Sequence, residues 1–103
     1  MTDFRAFFDR ACADASNTEV GGLAEAAGYH VAHTGGGCLV WEKVLPDNSY
    51  LWICDEANGL GTNNDHPFLV GFYDGDGNQI GAMGEMLPSF DSALQWCEEI
   101  ARR

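Results

Sequence analysis

The chain has 103 residues, 46% of them hydrophobic, and carries sixteen acidic against five basic residues for a formal net charge of −11. That length suits one domain with a buried core and an ordinary stability of ~5–15 kcal/mol, and the apolar content excludes a disordered chain while the shortness of the apolar runs excludes a membrane-spanning helix. The negative charge repels nucleic-acid phosphates and anionic lipid, so the expected partner is a protein, with no direct nucleic-acid contact and no membrane.

The first element is a helix. Phe4, Phe7, Phe8, Ala11 and Cys12 recur at helical spacing behind Thr2 as N-cap and Asp3 in the first turn. The opening residues mix charges and lack the apolar core of a signal peptide, which predicts a cytoplasmic protein whose four cysteines, Cys12, Cys38, Cys54 and Cys97, are reduced thiols. A break at Ser16-Asn17-Thr18 precedes a second helix, in which Val20, Leu23, Ala24 and Ala27 form the apolar face and Gly28 ends it. Gly21 and Gly22 weaken that helix by roughly 1 kcal/mol each on propensity.

Residues 29–55 read as three antiparallel strands. A two-residue Gly35-Gly36 turn places His33 opposite Cys38, and a turn around Asp47-Asn48 pairs Leu45 with Tyr50. Side chains alternate along a strand, so this register gives an aliphatic face holding Val31, Val40, Val44, Leu51 and Ile53, and an aromatic face holding Trp41, Tyr50 and Trp52. It also gathers His33, Cys38 and Asp55 at one end of the aliphatic face. As catalytic groups, His33 would take the proton of Cys38 while Asp55 orients the imidazole; as a metal site the same three would bind zinc, with His66 as a fourth ligand. A three-residue Gly35–Gly37 loop would move His33 off Cys38. His30 and His33 do not form a metal pair, since residues three apart on a strand face opposite ways.

Residues 56–66 form a polar loop in which Asn63, Asn64 and Asp65 are candidate contact residues. Pro67 opens a fourth strand over 68–73. The segment from Asp74 to Asn78 has calcium-loop spacing, but Gln79 stands where such a loop needs glycine, so a hairpin turn into a short fifth strand over 79–83 is the expectation. Ser89 then caps a final helix with Phe90, Ala93, Leu94, Cys97 and Ile100 on one face. The Gly35–Gly37 run leads into a strand and lacks the helix start that holds phosphate, and no cofactor is expected.

The element order predicts an α+β fold: a mostly antiparallel five-stranded meander sheet with two N-terminal helices and one C-terminal helix packed on it. The segment His33-Thr34-Gly35-Gly36-Gly37-Cys38, with Trp41, Tyr50 to Asp55 and Val70 to Gly77, resembles a group of short bacteriophage and prophage proteins. That resemblance implies an accessory protein that binds, and in some cases inhibits, a host or phage protein. The leading expectation is a protein-binding module using Trp41, Tyr50, Trp52 and the 56–66 loop; the alternatives are a small hydrolase or metal site at His33, Cys38 and Asp55, and a homodimeric structural component.

Overall fold

Among the described residues of the computed structural model, five strands in the sequential order β1-β2-β3-β4-β5, each antiparallel to its neighbour, carry three helices. Residues 4–33, 39–56, 59–78 and 85–101 are described, without the side chains of residues 4, 5, 7, 8 and 85. The helices are α1 (Phe4–Ser16), α2 (Glu19–Ala26) and α3 (Phe90–Ala101); the strands are β1 (His30–His33), β2 (Leu39–Val44), β3 (Tyr50–Asp55), β4 (Phe68–Tyr73) and β5 (Glu85–Leu87). The fold is the expected α+β meander, although its last strand lies beyond the 79–83 segment predicted for it, and residues 79–84 fall outside those described. The proposed caps Thr2 and Asp3 also lie outside the described residues.

Both ends of α2 and the start of α3 are closed by groups close to hand. Thr18 caps α2, its hydroxyl accepting from the Gly21 amide at 2.9 Å. At the other end Gly28 has φ +92°, and the amides of Gly28 and Tyr29 return to the carbonyls of Glu25 and Ala24, the Schellman arrangement that only a residue tolerant of positive φ permits at low cost. Helix α3 leaves none of its first four amides unpaired: Phe90 and Asp91 donate to the backbone and side-chain oxygens of Asn64, Ser92 to the Ser89 hydroxyl and Ala93 to the Ser89 carbonyl.

Gly21 sits where α1 turns into α2. A Cβ there would lie 1.7 Å from the Ala15 carbonyl oxygen, so the two helices approach closely only because the side chain is missing.

The two hairpins differ from expectation by one residue each. His33 pairs with Leu39, not Cys38, and Val44 pairs with Tyr50, not Leu45. In the second hairpin the cause is visible: Leu45 accepts from the Asn48 amide across a turn led by Pro46, Asn48 takes φ 72°, and Leu45 donates to Ser49 at 2.8 Å. The loop is therefore Pro46-Asp47-Asn48, a type I turn followed by a left-handed residue, and three loop residues shift the ladder by one. The Asp74–Asn78 turn repeats the design with Gly77 at φ 85° and Asp74 donating to Asn78.

With both ladders shifted, β1 and β3 keep the faces expected of them and β2 is inverted. The helix-covered face carries Tyr29, Val31, Trp41, Leu51, Ile53, Phe68 and Val70, which pack with Ala15, Val20, Ala24, Phe90, Ala93 and Cys97. Phe68 and Phe90 meet edge to face with centroids 4.9 Å apart.

Candidate functional site

The inverted β2 creates the opposite face. Across it run His30 of β1, Glu42 and Val44 of β2, Tyr50 and Trp52 of β3, Leu69 and Tyr73 of β4 and Met86 of β5. None of these belongs to the core that the helices cover, and Val44 and Met86 are 53% and 47% exposed. Val40 shares this side and is buried.

Three rings form its centre. Tyr50 and Tyr73 are directly paired across β3 and β4 and stack with centroids 5.2 Å apart; Trp52 lies 5.4 Å from Tyr50 and 5.0 Å from Tyr73, tilted to both. Trp52 pairs with Gly71, and a Cβ at Gly71 would come within 3.0 Å of the Tyr73 ring, so the absent side chain leaves the space across which Tyr73 lies. The indole N–H of Trp52 donates to Glu42 Oε2 at 2.7 Å, and Glu42 Oε1 lies 3.2 Å from His30 Nε2. A carboxylate is thereby fixed within an aromatic surface, and all three rings are half-buried.

One end of this face is acidic. Asp47 lies in the β2–β3 turn and Asp74 and Asp76 in the turn after β4. The two turns adjoin: a Cβ on Gly75 would be 3.2 Å from that of Asn48, and one on Gly77 would be 3.6 Å from the Tyr50 hydroxyl. Hydrogen bonds from the Ser49 hydroxyl and amide hold the Asp47 carboxyl below the usual carboxylate range. The amides of Asn78 and Asp76 do the same for Asp74. Burial raises the Tyr73 phenol above its ordinary value, and neighbouring Tyr50 adds to the effect.

The structure separates the residues that the sequence grouped. Trp41, expected on the aromatic face, is a core residue with 0% exposure whose indole N–H donates to the Leu60 carbonyl at 3.0 Å. Tyr50 and Trp52 do lie together, and Tyr73, Glu42, Val44 and Met86 join them. The signal for Tyr73 was available in the alternation of β4; that for Glu42 and Val44 required the register.

His33 faces Leu39, and Cys38 lies outside the described residues. Asp55 Oδ1 accepts from the Gly59 amide at 2.7 Å and shapes the loop, while Asp55 and His66 line a groove of about 380 Å³ with Glu56, Asn63 and Phe68. Among the described residues no group of three or more His, Cys, Asp and Glu side chains is placed to hold a metal. Burial raises the thiols of Cys12 and Cys97, the latter to about 11, which keeps both protonated near neutral pH.

In the loop, Asn64 is a fastener. Besides serving the amides of α3, its side-chain nitrogen donates to Asp91 Oδ2 at 2.8 Å and its amide to Glu19 Oε1 at 3.2 Å, tying the loop to α2 and α3. Asn63 accepts from the amides of Asp65 and His66 and organises the turn. Asp65 is exposed.

Comparison with protein-family models, with curated proteins and with solved structures yields no significant match. Among the described residues no helix is long and apolar enough to cross a membrane.

Proposed function

We propose that this chain is a small acidic, cytoplasmic protein-binding module whose contact surface is the sheet face opposite the helices. The observation that carries the reading is the cluster of Tyr50, Trp52 and Tyr73, flanked by exposed Val44 and Met86, on a face outside the helix-covered core. Large amphipathic rings on an accessible surface are the residues that dominate protein interfaces, because they bury much area at little cost in side-chain entropy. The resemblance to phage and prophage proteins extends the proposal to an accessory protein that binds a host or phage protein, with inhibition of that protein as one outcome of binding.

A second copy of the chain is the competing occupant of the face. Face-to-face self-pairing would bring together two copies of Glu42, Asp47, Asp74 and Asp76 in a chain of net charge −11, and like-charge juxtaposition opposes it. The test compares proteins co-purifying with the wild type, with Trp52→Ala on the face, and with Glu99→Ala on the exposed side of α3. A specific partner should be lost from Trp52→Ala and retained by Glu99→Ala; equal recovery with both variants refutes the assignment of the face.

A further inference from the structure

Resting on the open face as the contact surface, we infer that its occupant is a basic protein segment that lays an arginine side chain across Trp52 and Tyr73, with its guanidinium within reach of the carboxylates around them. Three observations converge on that chemistry. The ring surface is the first: a guanidinium is planar, weakly hydrated and stacks on Trp and Tyr faces, which suits the tilted Trp52–Tyr73 pair at 5.0 Å.

The second is the placement of negative charge. Glu42 is 20% exposed and is held in the face by the Trp52 indole and His30. Each oxygen retains acceptor capacity beyond the one contact it makes, so a forked donor meets a carboxylate already oriented. Beyond Tyr50 and Tyr73 the adjoining turns add Asp47, Asp74 and Asp76, and the first two are held ionised by amide and hydroxyl donors.

The third is the absence of a competitor. The basic side chains of the sequence are Arg5, Arg10, Lys43, Arg102 and Arg103. Arg5 and Arg10 belong to α1, Lys43 lies on the helix-covered face with its Nζ 5.7 Å from the Tyr29 ring, and the two terminal arginines lie outside the described residues. Among the described residues no strand position on the open face is Lys or Arg, so the strands themselves place no lysine or arginine against these carboxylates, and His30 is the one basic side chain they set beside Glu42.

The test selects a displayed library of random linear peptides on the immobilised wild-type protein, with counter-selection on Trp52→Ala and on Tyr73→Leu, each checked for native far-UV circular dichroism. Selected peptides are then titrated against the wild type, Asp76→Lys and Asp65→Lys. The last two change the net charge equally, but Asp76 borders the face while Asp65 lies in the loop at the other end of the strands. The expected result is a set of arginine-bearing peptides that require Trp52 and Tyr73, weaken about tenfold on Asp76→Lys and on Arg→Lys exchange in the peptide, and stay within about twofold on Asp65→Lys. Peptides that require Trp52 but lack arginine would overturn the arginine assignment and leave the face standing. Arginine peptides that bind Trp52→Ala as well as wild type, or weaken equally on both lysine substitutions, would show bulk charge attraction only and overturn the inference. Recovery of no Trp52-dependent peptide would overturn both the inference and the reading on which it rests.

Discussion

Truncating the two tryptophans that a one-residue change of register exchanges should have opposite consequences. Trp41→Ala empties a fully buried site between β1, β3 and the helices, and removal of a buried aromatic costs about 3–5 kcal/mol. It also leaves the Leu60 carbonyl without the indole donor, which adds about 1 kcal/mol. Against a total of ~5–15 kcal/mol, that loss of about 4–6 kcal/mol removes from roughly a quarter to all of the stability. Trp52→Ala removes a half-buried ring from a surface, and its cost should be about 1–2 kcal/mol, comprising part of the ring's burial and its bond to Glu42. Urea unfolding of both variants, with the slope checked for constancy, gives the comparison directly. A Trp41→Ala variant as stable as Trp52→Ala, or a larger loss at Trp52, would refute the observed register of β2 and with it the composition of the open face.

The adjacent glycines of α2 should also part company. Gly21→Ala forces a methyl against the Ala15 carbonyl and should destabilise by about 1–3 kcal/mol, whereas Gly22→Ala meets nothing within 4 Å and should stabilise by up to about 1 kcal/mol; melting of both variants checks the signs, and stabilisation at Gly21 would contradict the helix approach. Asn64→Ala removes both side-chain bonds to Asp91, including a cap of α3, and should cost about 1–2 kcal/mol and accelerate amide exchange at the start of that helix. Stability should also fall in alkali. Burial holds the Cys97 thiol at about 11 against its ordinary 9.0 and raises the Tyr29 phenol, so the unfolded chain ionises first. The thiol's contribution, on the order of 2 kcal/mol, is complete below about pH 9 and is lost as pH rises through about 11, whereas loss of the phenol's begins only near its ordinary 10.0 and continues above that interval. Urea midpoints across that interval that stay level in the wild type, or fall equally in Cys97→Ala, would contradict the assignment.

Most of the fold was legible because its signals are local. The helical spacing of Val20, Leu23, Ala24 and Ala27, the Ser89 cap, Gly28 at the end of α2 and the bounds of β4 all follow from properties of neighbouring residues. Register is not local. Pro46-Asp47-Asn48 admits several loop lengths, and only the left-handed Asn48 together with the Leu45–Ser49 bond selects three. Because the first hairpin slipped by one residue as well, the two shifts cancel between β1 and β3, and the error fell wholly on β2. That moved Trp41 into the core, brought Glu42 and Val44 to the open face, and dissolved the expected His33–Cys38 pairing. Its place in a polar loop marks Asn64 as a candidate contact residue; its role in holding α2 and α3 depends on contacts with Glu19 and Asp91, 45 and 27 residues away, which no local pattern encodes.

The claim that the aromatic sheet face is the contact surface is tested most directly by site-specific photo-crosslinking in cells, with a benzophenone side chain at exposed Val44 and, as control, at exposed Glu99 on α3. The account predicts a discrete adduct of a second protein from position 44 that disappears when Trp52→Ala is added, and no such adduct from position 99. An adduct from position 99 alone, or one from position 44 that is indifferent to Trp52, would contradict it.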